Sequence, residues 1–175
     1  MNLRLDNGRS NDYPADMKTW LGERLRARRG FDSVEQELYL SLQHTADALR
    51  FELKRLFKSE DLTAPAYNVL RILRGASEHG PDGLSCTDIA ERLINRDPDV
   101  TRLVDRLEKR GLVERTRSES ARRVVRVAIT ASGLELLERL DEPVLELHRE
   151  QLGHLGKRRL GELARLLMSV RDRQC

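Results

Sequence analysis

The chain of 175 residues is 39% hydrophobic and 35% charged, with a formal net charge of +3 at pH 7. This balance is typical of a folded domain with an apolar core and excludes a chain that is disordered throughout. Two cysteines are too few for a disulfide scaffold, and no apolar run approaches the roughly 18 residues of a membrane span, so we expect a protein of the reducing cytoplasm with no membrane partner.

Residues 1–34 are predicted to form a flexible arm. They mix Asn, Asp, Gly and Arg with few apolar positions, and they include the basic run ERLRARRGF. A segment of that composition cannot bury enough apolar surface to fold on its own. We therefore expect one folded domain, 35–175, to follow the arm.

A long helix is predicted from residue 35 to residue 58, because apolar side chains recur there close to the helical period. These positions are Leu38, Leu42, Leu49, Phe51, Leu53, Leu56 and Phe57. They lie on more than one side of the helix, so we expect burial on more than one side.

A second helix is predicted after Thr63, whose hydroxyl can cap it, with Pro65 in its first turn. Its core positions would be Val69, Leu70 and Leu73. The turn signal HGPDG at 79–83 follows this helix and ends it.

A short third helix is predicted to start at Ser85, whose hydroxyl forms an acidic capping box with Asp88 three residues on. Its buried residues would be Ile89, Ala90 and Leu93. Cys86 lies in the first turn, where the helix dipole favours a reactive thiolate. Cys86 is either a redox sensor or a small buried hydrophobe, and we favour the second interpretation because it is the commoner one.

A fourth helix is predicted from Pro98 to Gly111. Asp97 can cap it, and Gly111 can adopt the left-handed conformation that ends it. Only Asn95 and Arg96 would separate this cap from the third helix. One face carries the apolar stripe Val100, Leu103, Val104 and Leu107. The opposite face carries Asp99, Thr101, Arg102, Asp105, Arg106 and Lys109.

Two strands are predicted next, at 112–117 and 124–129, joined by the loop 118–123. The second strand alternates, with Val125, Val127 and Ile129 on one face. The hairpin holds Arg115, Arg117, Arg122, Arg123 and Arg126 against only Glu114 and Glu119. Taken alone, a charged helix face or hairpin is most often solvated surface. The ordered set of two capped helices, a short turn and a basic hairpin instead predicts a winged helix-turn-helix, in a mainly α fold with a small β-hairpin wing (α+β).

Two more helices are predicted between residues 131 and 172, the first capped by Thr130 and kinked at Pro143. They present Leu134, Leu137, Leu140, Val144 and Leu147, then Leu160, Leu163, Leu166, Leu167 and Val170. Together with 35–58 they carry more leucine than a small winged domain, 62–130, can cover. A second copy of the chain is the simplest cover, and a monomer that folds its own ends into a bundle is the alternative. We expect a homodimer, with 35–58 and 131–172 as its dimerisation part.

No catalytic or metal-binding constellation is found in the sequence. The histidines are His44, His79, His148 and His154, and none has a partner at metal-site spacing. A phosphate-cradling glycine motif and a nucleophile elbow are also absent. We therefore expect no metal, no cofactor and no enzymatic activity.

From about Glu35 to Arg171 the chain resembles the MarR family of bacterial transcriptional regulators. The motifs that carry the resemblance are LTAPAYNVLRIL at 62–73, LSCTDIAERL at 84–93, VTRLVDRLEKRGLVER at 100–115 and ARRVVRVAITASG at 121–133. The family's wing usually reads Asp-x-Arg, in which the acid braces the arginine. Here Ala121 stands at the position of the acid, while the arginine, Arg123, is kept.

The resemblance implies a homodimeric repressor that reads a palindromic operator in double-stranded DNA, with 98–111 in a major groove and 118–123 along the adjacent minor groove. The implied DNA-binding residues are Ser85, Thr87, Pro98, Thr101, Arg102, Arg106, Arg122 and Arg123. The chemistry singles out Arg102 as the base reader, because arginine can address guanine with two hydrogen bonds. Many relatives release DNA when they bind a small aromatic acid or phenol, but no residue here identifies such a ligand.

Two alternatives stay open. The winged domain could instead be a protein-interaction module whose basic face meets an acidic partner, without sequence-specific DNA binding. The basic run of the 1–34 arm, which the resemblance does not cover, is either a DNA-contacting extension or a solvated tail, and its composition favours the tail.

Overall fold

The fold is mainly helical with one antiparallel hairpin, which confirms the predicted fold class. The computed structural model describes residues 31, 33–80, 83–93, 99–117 and 125–172. Its elements are, in chain order, α1 (Val34–Lys58), α2 (Ala64–Ser77), α3 (Cys86–Arg92), α4 (Val100–Lys109), β1 (Val113–Arg117), β2 (Val125–Ile129), α5 (Ala131–Leu152), a 3-10 turn (Gly153–Leu155) and α6 (Gly156–Asp172). One compact unit ends at Leu49, within α1, and the other, from Arg50 onward, holds the winged helix-turn-helix. No helix among the described residues is both long and apolar enough to cross a membrane.

Side-chain caps start α2 and α5 where the sequence predicted them. The Thr63 hydroxyl accepts a hydrogen bond from the Ala66 N–H at 3.3 Å, and the Thr130 hydroxyl accepts one from the Gly133 N–H at 3.2 Å. Each cap gives a partner to an N–H group that the first helical turn leaves unbonded. Pro65 lies in the first turn of α2, where its missing N–H costs nothing.

The core of the larger unit forms where α2, α4, α5 and the hairpin pack together. Its most deeply buried side chains are Phe57, Val69, Leu70, Leu73, Ile89, Val104, Leu107, Val113, Val127 and Leu137. The rings of Phe57 and Tyr67 lie 4.6 Å apart and join the end of α1 to α2. The predicted apolar stripe of α4 is buried along its whole length, so the opposite face of that helix is the one left to solvent.

A short backbone bridge attaches the hairpin to the segment before α3. Leu84 and Val127 exchange two hydrogen bonds of 2.9 and 2.8 Å. Gly83, with φ +65, precedes the bridge, and a Cβ atom there would lie 2.4 Å from the carbonyl oxygen of Val127. Only glycine permits so close an approach in that conformation.

Burial along β2 is more uneven than the alternation predicted. Val127 is fully buried and Ile129 is half-buried, whereas Val125 is 45% exposed. The predicted alternation therefore describes one face of the strand, but the core covers only the part of that face nearest to α5.

Within one chain, α1 is less buried than the sequence predicted. Phe57 is buried, but Leu38 and Phe51 are 50% and 61% exposed. Leu42 and Leu49 are only partly covered. The apolar pattern thus exceeds what a single chain covers, and an open apolar surface of this kind is typical of a contact surface for a partner.

Two other predicted stripes differ in detail. In α3, Ala90 is exposed, because Ile89 and Leu93 form the core face of this short helix. The buried positions of α5 are Gly133, Leu136, Leu137, Leu140 and Val144. Leu134 and Leu147, which the sequence placed in that stripe, lie at its edges and are half-buried.

Helix α6 has no buried residue. Its predicted apolar stripe is open, and Leu166 and Val170 are 65% and 47% exposed. Most of the stability of an amphipathic helix comes from packing its apolar face. The apolar face of this helix is therefore open to a contact with another surface.

An ion pair joins α2 to α5. The Arg74 guanidinium donates from both terminal nitrogens to the Asp141 carboxylate, at 2.7 and 3.0 Å. This two-point geometry is the stronger form of an arginine–carboxylate pair. The guanidinium also holds the pKa of Asp141 below its ordinary value.

Replacing Asp141 by Asn should lower the free energy of unfolding by about 1 kcal/mol at pH 7, the upper end for a partly exposed pair. The folded-state pKa of Asp141 is depressed, so the pair stabilises fully above the unfolded pKa and loses its effect as the pH falls through the folded pKa. The difference in unfolding free energy between the native protein and the variant should therefore stay constant down to about pH 5 and shrink below about pH 4. Urea unfolding at each pH measures it, and an undiminished difference at the acid end would contradict this account.

Candidate nucleic-acid interface

Ser85 organises the first turn of α3. Its hydroxyl accepts from the Asp88 N–H at 3.1 Å and donates to the Asp88 carboxylate at 2.8 Å, and its N–H donates to the same carboxylate at 3.1 Å. These bonds hold the pKa of Asp88 below its ordinary value. Both donors of Ser85 are thus used within the chain, whereas Thr87 is exposed. Of the two residues expected to hold the DNA backbone here, Thr87 is the more open to a phosphate.

Helix α4 begins later than the sequence predicted. Its cap is Asp99, whose carboxylate accepts from the Arg102 N–H at 3.1 Å, and its first residue is Val100. The prediction of Asp97 as the cap and of Pro98 as the first helical residue is therefore wrong. Acids stand on both sides of the proline, and the later one caps the helix. Asp97 and Pro98 themselves lie outside the described residues.

Helix α3 ends at Arg92, and Leu93 leaves it in an extended conformation. The predicted turn of Asn95 and Arg96 lies outside the described residues. The exit of α4 agrees with the prediction, because Gly111 has φ +69.

Three of the expected DNA-binding side chains share the outer face of α4. Thr101, Arg102 and Arg106 are all exposed, opposite the buried stripe. The Arg102 side chain is 84% exposed, with its Nε 3.4 Å from the Asp99 carboxylate. So open an ion pair contributes little to stability, and the guanidinium is free to turn to another acceptor. The face offers two guanidinium groups and a hydroxyl, which are donors that bind base edges and phosphates.

Arg115, which the sequence placed among the basic residues of the hairpin, is turned towards the protein. Its guanidinium donates to the carboxylates of Asp105, at 2.5 Å, and of Glu108, both on α4. The hydrogen bond to Asp105 is the main cause of a raised pKa of Arg115. Arg115 therefore braces β1 against α4.

Two further arginines have internal partners. Arg110, at the end of α4, donates to the carbonyl oxygens of Asp61 at 2.6 Å and Glu60 at 2.8 Å. Arg126 on β2 donates to the carbonyl oxygen of Gly83 at 3.1 Å. Sequence reasoning missed the Arg110 contact, because its partners lie 49 and 50 residues earlier in the chain. These braces hold α4 and the hairpin to the core.

The expected tip of the wing, including Ala121, Arg122 and Arg123, lies outside the described residues. The two strands pair in antiparallel register up to Arg117 and Val125. The contact of the tip with DNA therefore stays a prediction from the sequence.

Within the described ranges, no group of His, Cys, Asp and Glu could hold a metal ion. Cys86 is half-buried and packs against the core. That environment suits the structural interpretation of this cysteine, since a small hydrophobe packs in the same way.

A cleft of about 500 Å³ lies between the last turns of α1 and the second half of α5. Its lining residues are Glu52, Arg55, Leu56, Pro143, Glu146, Leu147 and Glu150. Of its three carboxylates, Glu52 is paired with Arg55 and Glu146 with Arg149, whereas Glu150 has no ion pair among the described residues. The cleft is large enough for a small molecule.

Comparison with known proteins matches the chain to regulators that carry this fold. The model of the MarR family matches residues 62–125. Over 118 residues the chain is 33% identical to the HTH-type transcriptional repressor IacR of Pseudomonas putida. This match covers 67% of this chain and 68% of IacR. The crystal structure of a MarR transcription factor from Planctomyces limnophilus is 47% identical, with a TM-score of 0.60 over 79% of this chain and 98% of that one. The structure of a mutant MarR from E. coli in complex with operator DNA is 25% identical, with a TM-score of 0.67 over 76% and 92% of the two chains.

Proposed function

Because the chain belongs to the MarR family of transcriptional regulators, we propose that it is a homodimeric repressor of a palindromic operator in double-stranded DNA. The observation that carries the proposal is the outer face of α4, where Thr101, Arg102 and Arg106 lie exposed opposite a buried stripe. A helix held by its inner face can enter a major groove with its outer face against the base edges.

The proposed contacts extend from α4 to α3 and the wing. The full proposed set is Ser85, Thr87, Pro98, Thr101, Arg102, Arg106, Arg122 and Arg123. Thr87 stands in the first turn of α3, where free N–H groups and the helix dipole favour a phosphate. Arg122 and Arg123 would follow the adjacent minor groove. The related E. coli protein that was crystallised with operator DNA supports DNA as the partner.

The proposed dimer uses residues 35–58 and 131–172, and 62–130 form the DNA-binding part. Its support is the open apolar stripe of α6 and the exposed apolar side chains of α1. A second copy related by a twofold axis would cover both surfaces, since such an interface uses the same patch on each subunit. The same axis would present two copies of α4 to DNA, which is why the operator should be palindromic.

Leu166→Asp should weaken the dimer by about 100-fold or more, because the interface would then bury an unpaired carboxylate from each subunit. Leu166 is 65% exposed in one chain, so the fold of the subunit should tolerate the change. Met168→Asp is the matched control, since Met168 is 52% exposed and lies on the opposite side of α6. Sedimentation over a range of concentrations compares the two variants. A Leu166→Asp protein as dimeric as the control would contradict the proposed interface.

A small aromatic effector is part of the same proposal. The cleft between α1 and α5 is one place for it, and Glu150, the lining carboxylate outside the two described ion pairs, would repel an aromatic acid. A neutral phenol is therefore the better candidate. Phenol should raise the Tm of the protein and weaken DNA binding, while benzoate should do neither. If benzoate has both effects and phenol has neither, this cleft is not the site.

A titration separates DNA binding from the interaction-module alternative. Duplex DNA and polyglutamate compete for the protein at several salt concentrations. A DNA reader loses affinity steeply as salt rises but keeps its preference for one duplex over others. A module for acidic partners would bind polyglutamate as well as any duplex, and that result would contradict the proposed function.

A further inference from the structure

Arg115 occupies an unusual position for an arginine of a basic hairpin. It lies in the middle of β1, opposite Val127, and its guanidinium reaches two carboxylates one turn apart on α4. One terminal nitrogen binds Asp105 and the other binds Glu108. Only 26% of the Arg115 side chain is exposed, so its charged end is committed to α4.

The two carboxylates lie on the helix that we place in the groove. The Asp105 and Glu108 side chains are 47% and 39% exposed, so both carboxylates can interact electrostatically with charges outside the protein. In the part of the chain that the structure describes, the ion pairs of both acids are with Arg115 alone. Without that guanidinium, two unpaired negative charges would stand beside the DNA phosphates, and like charges at such distances repel.

We propose that Arg115 is a positioning residue for DNA binding: it fixes β1 against α4 and neutralises Asp105 and Glu108, and it does not contact DNA itself. The inference rests on the proposed function and deepens it. It divides the hairpin arginines into two kinds: those that contact DNA, and those that hold the DNA-contacting surface in shape.

A comparison of two backgrounds tests the proposal. Arg115→Ala is made in the native chain and in an Asp105→Asn/Glu108→Gln chain, and affinity for the preferred duplex is measured in both. In the native background the substitution should lower the affinity about 10-fold, since it exposes both acids. In the acid-free background it should lower the affinity less than about 2-fold, because no charge is left to neutralise. Arg102→Ala is the matched control, and it should lower the affinity by the same factor in both backgrounds, as the loss of a direct contact would.

The salt dependence gives a second readout, which a purely structural defect would not change. A direct phosphate contact by Arg115 would lower the slope of log affinity against log salt by about 0.9 per subunit on its removal, in either background. A positioning residue leaves the slope unchanged in the acid-free background. In the native background its removal lowers the slope, because salt screens the repulsion that the two unpaired acids add. If Arg115→Ala does not fold, Arg115→Lys replaces it, because a single ammonium group cannot reach both acids in the forked geometry.

The outcomes separate the two claims. An equal loss of affinity in both backgrounds, or a slope lowered by about 0.9 per subunit in the acid-free background, would overturn the role of Arg115 and leave the proposed function standing. If the native chain prefers no duplex over random DNA, the proposed function fails and this inference fails with it. A loss of affinity confined to the native background, with an unchanged slope in the acid-free background, is the result that we expect.

Discussion

An Arg102→Ala variant is expected to bind the preferred duplex about 5- to 150-fold more weakly for each half-site than the native chain does, and to bind random duplex almost as well. A guanidinium that addresses guanine with two hydrogen bonds contributes about 1–3 kcal/mol of discrimination, which corresponds to that range. Arg102 can make such a contact because its side chain is 84% exposed near the start of α4 and only loosely paired with Asp99. Fluorescence anisotropy on the preferred and a scrambled duplex measures both affinities.

Arg123→Ala is the comparison for Arg102, because a minor-groove or phosphate contact carries little base information. It should weaken binding to both duplexes by similar factors and lower the salt slope by about 1. If Arg102→Ala also affects both duplexes equally, Arg102 binds phosphate and does not read bases. If Arg123→Ala changes neither affinity, the wing does not contact DNA.

A Gly133→Ala variant is expected to lose about 3 kcal/mol of unfolding free energy, at the upper end for an overpacked core. Gly133 is buried in the first turn of α5, and a Cβ atom there would lie 2.3 Å from the carbonyl oxygen of Leu112 and 2.7 Å from Cγ1 of Ile129. The first of these neighbours is backbone at the entry to β1, so it cannot move without displacing the hairpin. Urea unfolding gives the free energy.

Gly75→Ala is the matched control for this substitution. Gly75 also lies in a helix, α2, and a Cβ atom there would have no neighbour within 4 Å. Alanine should therefore raise the unfolding free energy by about 0.5–1 kcal/mol through its higher helix propensity. A Gly133→Ala protein as stable as the native chain would show that the first turn of α5 does not pack against the hairpin in this way.

The parts of the fold that local chemistry decides could be predicted from the sequence. The caps at Thr63, Ser85 and Thr130 lie where the sequence placed them, because each hydroxyl acts on N–H groups within three residues. The predictions of a left-handed Gly111 and of a buried stripe on α4 were likewise correct, since both follow from helical geometry alone. Strand β1 begins one residue later than predicted, and the predicted first residue of β2, Val124, lies outside the described residues.

Local chemistry was ambiguous at the start of α4. Asp97 and Asp99 flank Pro98, and either acid can serve as a cap in sequence terms. The proline favours the earlier acid, because proline suits a first helical position. The structure uses the later acid, so the helix that carries Arg102 starts closer to that residue than predicted.

Long-range contacts, and burial that depends on how distant elements meet, could not be predicted. The partners of Arg110 are backbone carbonyls from a distant turn, which leave no side-chain signal in the sequence. For Arg115 a signal existed, because Asp105 and Glu108 stand one turn apart on the preceding helix, but a basic hairpin suggested a different role. In one chain the apolar face of α6 stays exposed, so its pattern predicts a contact but not the surface that meets it.

Selection of bound duplexes from a random pool tests the central claim most directly, because it reports sequence preference and symmetry together. We predict enrichment of one site built from two inverted half-sites whose centres lie about 10 base pairs, or a multiple of that, apart. The same selection with Leu166→Asp should lose the paired half-sites, since the variant cannot present two copies of α4 on one twofold axis. A pool that stays random over repeated rounds, or that yields a single site without inverted symmetry, would contradict a dimeric repressor that reads DNA through α4.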